Sequence, residues 1–250
     1  MQNPFVWHDL MTTDVEGAKA FYKKAVGWDF APQNDGYHVA LVGGCGVGGV
    51  MELPDHLRGM APFWSGYVFT PNVDEARERA VQLGGKVLRE PWDIPGVIRM
   101  AVIADPTGAV FNIMQPLPGE RRKSPAEFAP GTVGWNELHA GNLNVAWEFY
   151  SKMFGWTKGR AHDMGAPAGI YQLFQIGGKD VGGMMQKMDA MPRPAWAYYF
   201  IVDGIDAAAQ RITDAGGKIT IGPLEVPGGE WILNAFDPQG GYFCLLSNAK

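Results

Sequence analysis

The chain has 250 residues, of which 46% are hydrophobic and 19% charged, and its 21 Lys and Arg against 26 Asp and Glu leave a net charge of −5. Such a length suits two domains of roughly 120 residues better than one, and the composition excludes an intrinsically disordered chain. The acidic balance argues against a nucleic-acid partner, which would need a basic stripe.

The N-terminus, MQNPFVWHDL, lacks a basic segment followed by an apolar one, and no stretch approaches the ~18 apolar residues of a membrane span. Cys45 and Cys244 fall outside any CxxC spacing, which points to a reducing compartment. The expectation is a cytoplasmic protein with a small-molecule ligand or substrate and no nucleic-acid or membrane partner, acting as a monomer or homodimer.

In chain order, strand-like VWHDLMT leads to a predicted helix from Val15 to Val26. Asp14 suits its N-cap, Val15, Ala18, Phe21 and Tyr22 form an apolar stripe, and Gly27 supplies the stop. Strand-like HVALVG and GVGGVMEL follow. The pattern then restarts with GYVFT, a predicted helix through 74–83 closed by Gly84 and Gly85, and strands around KVLRE, IRMAVIA and AVFNIMQ. The sequence DPTG at 105–108 has the residue order that a type I hairpin turn prefers. The segment PLPGERRKSPAEFAPG (116–131) reads as a connector, and its run Arg121, Arg122, Lys123 as solvated linker charge.

Beyond the connector the whole pattern recurs. WHDLMTTDVEGAKAFYKKAVGW (7–28) and WNELHAGNLNVAWEFYSKMFGW (135–156) share eight of 22 positions, among them Trp7/Trp135, Tyr22/Tyr150 and Trp28/Trp156. Residues 64–86 match 196–218 with another eight identities, and DPTG is answered by DPQG at 237–240. The chain is therefore a tandem duplication. Each half divides again into two strand–helix–strand–strand–strand modules, at 4–60, 61–116, 133–190 and 191–248. The expected fold is α+β, with four βαβββ modules paired into two domains (1–116 and 133–250, with 117–132 between) whose mixed sheets are cup-shaped. A lone module cannot bury its concave apolar face; two placed edge to edge enclose a cup, which is a default binding place.

The runs D-V-E-x-A-K-x-F-Y-x-x-x-x-G-W, L-G-G-K-V and D-P-x-G-x-x-F resemble the vicinal oxygen chelate superfamily of glyoxalase I, bleomycin-resistance proteins and extradiol dioxygenases. Within it the second half looks most like two-domain glyoxalase-like proteins labelled "hydroxylase". The resemblance implies a divalent metal held by His and Glu from the first and last strands, with open positions for a substrate. Counting from the landmarks, those slots fall on Trp7, Met51 or Glu52, Ser65 and Asn112, and on Trp135, Met185 or Gln186, Ala197 and Cys244. Only Glu52 and Cys244 are ordinary ligand types, so no metal cofactor is expected; a divalent metal is the alternative, with Glu137, His139, Glu52 and His8 as fallback ligands. His8 enters only if the strand register slips by one residue.

Strand alternation puts Asp9 on the same face as Trp7, and Glu137 with His139. These three, Glu137, His139 and Asp9, are the candidate catalytic residues, as general bases; the bland alternative is that the carboxylates anchor a loop. Trp7, Trp135, Met51, Met185 and Asn112 are the candidate ligand-binding residues, the aromatics as stacking surfaces and the methionines as adaptable walls. Two functions stand side by side: a protein binding a small apolar or aromatic molecule, and a lyase (glyoxalase type), isomerase or dioxygenase with a nonstandard site.

Overall fold

The computed structural model describes residues 3–33, 36–118 and 123–250; of the basic run in the connector, Arg121 and Arg122 lie outside them. The duplicated pattern appears as sixteen strands and four helices among these residues. The first module holds β1 (Phe5–Thr12), α1 (Val15–Ala25), β2 (Asp29–Pro32), β3 (His38–Val42) and β4 (Cys45–Glu52). The second holds β5 (Phe63–Phe69), α2 (Val73–Gln82), β6 (Lys86–Ile94), β7 (Ile98–Ala104) and β8 (Val110–Pro116). In the third are β9 (Val133–Ala140), α3 (Leu143–Phe154), β10 (Thr157–Asp163), β11 (Ile170–Ile176) and β12 (Lys179–Gln186). The fourth has β13 (Ala195–Ile201), α4 (Ile205–Asp214), β14 (Lys218–Glu225), β15 (Trp231–Phe236) and β16 (Tyr242–Ser247).

The fold is α+β with two eight-stranded mixed sheets, ordered β2-β3-β4-β1-β5-β8-β7-β6 and β10-β11-β12-β9-β13-β16-β15-β14. Their ends are free, so neither closes into a barrel. Within a module the first and last strands run parallel, as β1 with β4 and β13 with β16, and the other strands pair as antiparallel hairpins.

Local chemistry sets the element ends. The Asp14 carboxylate accepts from Gly17 N at 2.9 Å and caps α1, and the Asn142 amide oxygen does the same for α3 from Val145 N at 3.1 Å. α2 starts one residue earlier than the apolar spacing suggests because Asn72 takes the cap, accepting from Asp74 N and Glu75 N. β2, four residues with no buried position, carries no apolar alternation and was not read from the sequence; it pairs antiparallel with β3. In the DPTG turn, Asp105 Oδ1 accepts from Thr107 N and Gly108 N, and Gly108 sits at φ 103°, where a side chain would be strained.

Packing groups the modules differently from the sheets. One compact unit comprises Met1–Val6, Ser65–Arg121 and Asn136–Trp196; the other comprises Trp7–Trp64, Arg122–Trp135 and Ala197–Lys250. Each unit is built round an equivalent aromatic box. In the second unit, Tyr22 of α1 stacks on Trp28 at 5.4 Å, and its hydroxyl accepts from Trp64 Nε1 at 3.1 Å. Trp28 Nε1 in turn donates to Gly131 O at 2.7 Å. In the first unit, Tyr150 of α3 stacks on Trp156 at 5.5 Å and 8°, and accepts from Trp196 Nε1 at 3.0 Å, while Trp156 Nε1 donates to Asn3 O at 3.0 Å. Each bonded carbonyl lies two residues ahead of a first strand, so the box fixes where β1 and β9 begin. Aromatic pairs of this kind add about 0.5–1.5 kcal/mol each beyond the area they bury.

The Tyr22 hydroxyl also donates to Asp237 Oδ2 at 3.0 Å. Burial pushes the Tyr22 hydroxyl well above the usual tyrosine range, with the Asp237 charge adding to it. Burial also raises the Asp237 carboxyl, and hydrogen bonds from Gly241 N, Tyr22 and Gln239 N oppose the rise. Because Asp237 is raised in the folded state, its contribution to stability is complete below the ordinary aspartate value and is lost as pH rises through the raised one. Two outcomes are expected from chemical denaturation. Tyr22→Phe costs about 1–3 kcal/mol, since it leaves the buried Trp64 N–H and Asp237 oxygen unpaired. Asp237→Asn removes one component of the fall in stability on the basic side of the ordinary aspartate pKa.

Candidate functional site

The alternation read in the first strands holds. Leu10 and Leu138 are fully buried, while Trp7 and Asp9 meet on the opposite face of β1: Trp7 Nε1 donates to Asp9 Oδ1 at 2.8 Å. The same N–H is shared with the Tyr37 hydroxyl oxygen at 2.8 Å, and Tyr37 donates its own proton to Asp9 Oδ1 at 2.7 Å. The Asp9 carboxylate, 4% exposed, is thus tied to two aromatic side chains. β4 lies parallel to β1 with Gly49 opposite Asp9 and Met51 opposite Met11. The bare backbone at Gly49 is what admits Tyr37, since a Cβ there would strike the Tyr37 hydroxyl.

The third module repeats the design with one change. Tyr171 of β11 donates to Glu137 Oε2 at 2.8 Å, and Gly183, paired with Glu137 across β12, makes room for the Tyr171 ring. Where the first module has Met11, this one has His139, paired with Met185. His139 Nε2 lies 2.9 Å from Glu137 Oε1, yet the angle is too bent for a hydrogen bond, and neither ring nitrogen has another partner. The two residues are 8% and 9% exposed. A carboxylate and an imidazole in such contact, away from water, are equipped to accept or pass a proton.

The other sequence candidates separate. His8 is buried on the face opposite Trp7, its ring 4.5 Å from Tyr198 in an edge contact; the register does not slip, and His8 is part of the packing. Glu52 is exposed at the end of β4. Asn112 is 2% exposed and donates to Ser65 Oγ at 2.7 Å, so these two slots satisfy each other. In the fourth module Ala197, Tyr199 and Cys244 form a buried cluster against which Trp135, Ile232, Tyr242 and Leu246 pack. Trp64 and Trp196 belong to the aromatic boxes. Sequence reasoning did not single out Tyr37 and Tyr171, although each stands within two residues of a glycine and they occur at matching places in the two halves.

Among the described residues, no group of three or more His, Cys, Asp or Glu converges. Glu137 and His139 are two donors, and a bound divalent ion of the kind this fold carries needs three or four.

A family model described as the Glyoxalase/Bleomycin resistance protein/Dioxygenase superfamily matches residues 4–113 and 132–245. The chain belongs to this superfamily. CFP32 of Mycobacterium tuberculosis, which carries a provisional glyoxylase name, is 34% identical over 253 residues, covering 97% of this chain and 94% of the relative. The anthracycline biosynthesis protein DnrV of Streptomyces peucetius is 30% identical, covering 96% of this chain and 91% of the relative. Among solved structures, the Mn(II)-bound glyoxalase from Novosphingobium aromaticivorans superposes with a TM-score of 0.68 at 17% identity, covering 100% of this chain and 82% of that one. At that identity the likeness speaks for the glyoxalase fold alone.

The two tyrosine-bonded carboxylates, each beside a glycine, make a direct test. Gly183→Ala places a methyl against the Tyr171 ring, so we expect loss of the Tyr171–Glu137 bond in a crystal structure of the variant. Its cost should be about 1–3 kcal/mol by urea denaturation, the usual penalty for overpacking. Gly49→Ala should do the same to Tyr37 and Asp9.

Proposed function

We propose that this glyoxalase-superfamily protein binds a small, flat, apolar or aromatic molecule on the concave faces of its modules, and does so without a resident metal. The observation that carries this reading is the chemistry at the expected ligand slots. Trp135, Ala197 and Cys244 sit in an apolar cluster, and the Asn112 amide is bonded to Ser65. Neither arrangement offers the charged or imidazole donors that a hard or borderline cation prefers. Trp7, Trp135, Met51 and Met185, all half-buried, supply stacking and adaptable apolar surface. Asp9 and Glu137 supply polar anchors, each oriented by a tyrosine. The name of the relative DnrV, an anthracycline biosynthesis protein, supports a polycyclic aromatic as the ligand class.

A second reading is favoured by the contact between His139 and Glu137. Its unpartnered nitrogens suit a base that removes a proton from a bound substrate, which would make the protein a lyase or isomerase with Glu137 and His139 in catalytic roles. We infer further that residues 1–116 and 133–250 act as the two domains, joined by 117–132, and that the chain works in the cytoplasm as a monomer or homodimer. No helix among the described residues is long and apolar enough to cross a membrane.

The test is a titration with 1,4-dihydroxyanthraquinone, followed by quenching of tryptophan fluorescence. Saturable binding is expected, and Glu137→Gln should weaken it about tenfold, the worth of one hydrogen bond to a charged group. Absence of binding would sink the reading. Elemental analysis of protein prepared without chelator is the companion measurement. A stoichiometric metal that disappears in Glu137→Gln and His139→Ala, together with a lyase or dioxygenase activity, would replace it with the enzyme reading.

A further inference from the structure

The fourth module contains a polar group that neither the packing nor the site described above uses. On β15, Asn234 stands directly across from Cys244 of β16, and opposed residues of an antiparallel pair share a face. Asn234 therefore belongs to the same face as the Ala197, Tyr199 and Cys244 cluster, which Trp135, Ile232 and Leu246 extend. It is 5% exposed. Its amide is held in one orientation, because Nδ2 donates to the Tyr242 hydroxyl oxygen at 2.8 Å. The backbone beneath it is held as well, with Thr220 Oγ1 donating to Asn234 O at 3.1 Å. In that orientation Asn234 Oδ1 has no hydrogen-bond partner.

A buried amide oxygen left unpaired is unfavourable by an amount comparable to the hydrogen bond it lacks. The cluster on this face is mainly apolar: Ala197, Ile232 and Leu246 carry no donor and Cys244 only a weak one, and the donors on Trp135, Tyr199 and Tyr242 make no hydrogen bond to Oδ1. The partner that fits is a donor carried on an apolar body. An aromatic hydroxyl has this form: the ring covers the plate of Ala197, Cys244 and Leu246 against Trp135, and the O–H reaches Oδ1. A carboxylate or phosphate does not fit, because it would bring a second acceptor against the amide oxygen.

We propose that this face of the fourth module recognises the hydroxylated edge of an aromatic ligand, with Asn234 Oδ1 as the acceptor and the Tyr242 hydroxyl as the group that positions the amide. The proposal rests on the reading that the protein binds aromatic molecules, and narrows that class to phenols. It assigns discrimination rather than anchoring: sites built to pair with a hydroxyl reject analogues that lack it more strongly than apolar contact alone rejects misfits.

The probes are 2-naphthol and 2-methoxynaphthalene, which share a ring system but differ in the donor. Each is titrated into the full chain and followed by calorimetry. The wild type is expected to bind 2-naphthol about tenfold more tightly, the worth of one well-placed hydrogen bond. Asn234→Leu, close in size and without the acceptor, should bring the ratio of the two affinities to about one, chiefly by weakening 2-naphthol. Asn234→Thr keeps an acceptor oxygen and should retain part of the preference. Equal affinities in the wild type overturn the proposal while leaving the aromatic-binding reading intact; no binding of either probe overturns both. A preference that persists in a folded Asn234→Leu protein also overturns it, because the hydroxyl would then be read elsewhere. The wild-type ratio decides the matter even if the leucine variant fails to fold.

Discussion

The buried hydroxyls of Tyr22 and Tyr150 are the points on which the two halves turn. Each stands on a helix, stacks on the tryptophan just beyond that helix, and accepts from a second tryptophan at the start of the next module. The stacked tryptophans, Trp28 and Trp156, then hold the backbone ahead of a first strand, at Gly131 and Asn3. A strand whose entry is fixed has a fixed register, and a slip of one residue would exchange its faces. The positions of Asp9 and Glu137 among their tyrosines follow from this constraint.

Duplication explains why the two halves resemble one another and also shows where they have parted. Tyr37–Asp9 and Tyr171–Glu137 are the same device, down to the glycine that clears space for the tyrosine ring. The residue two beyond the carboxylate differs, Met11 in one and His139 in the other. So do the paired slots: Ser65 and Asn112 bond each other, whereas Ala197 and Cys244 are apolar neighbours. A first module with an anchored carboxylate and a third with a carboxylate–imidazole contact are chemically distinct, and equal roles for the two are not required. In the third module the carboxylate touches an imidazole; in the first it is hydrogen-bonded on one oxygen by both aromatic partners.

In the fourth module Ala197, Tyr199 and Cys244 form a buried, largely apolar cluster. Surroundings of low polarity strengthen the polar groups among them electrostatically. A single buried acceptor such as Asn234 Oδ1 therefore weighs more in this protein than it would in a wet, ion-filled site.

Much of this architecture was legible from residues alone, because it depends on local rules and on repetition. Matches at fixed offsets exposed the four modules, caps such as Asp14 and stops such as Gly27 bounded the helices, and the period of two placed Trp7 with Asp9 and Glu137 with His139. The strand β2 escaped because none of its four residues is buried, which leaves no alternation to read. The partners escaped for a different reason. Tyr171 lies 34 residues from Glu137, and Tyr37 lies 28 from Asp9; Tyr22 lies 215 from Asp237. Sequence spacing carries no information about which side chains meet across strands whose pairing is set by the whole sheet. The sequence by itself determined the modules and the faces of their first strands. Only the tertiary structure decided that His8 packs against Tyr198, that Asn112 is taken by Ser65, and that Asn234 is left with an empty acceptor, since each depends on which groups burial brings together and which it leaves without a partner.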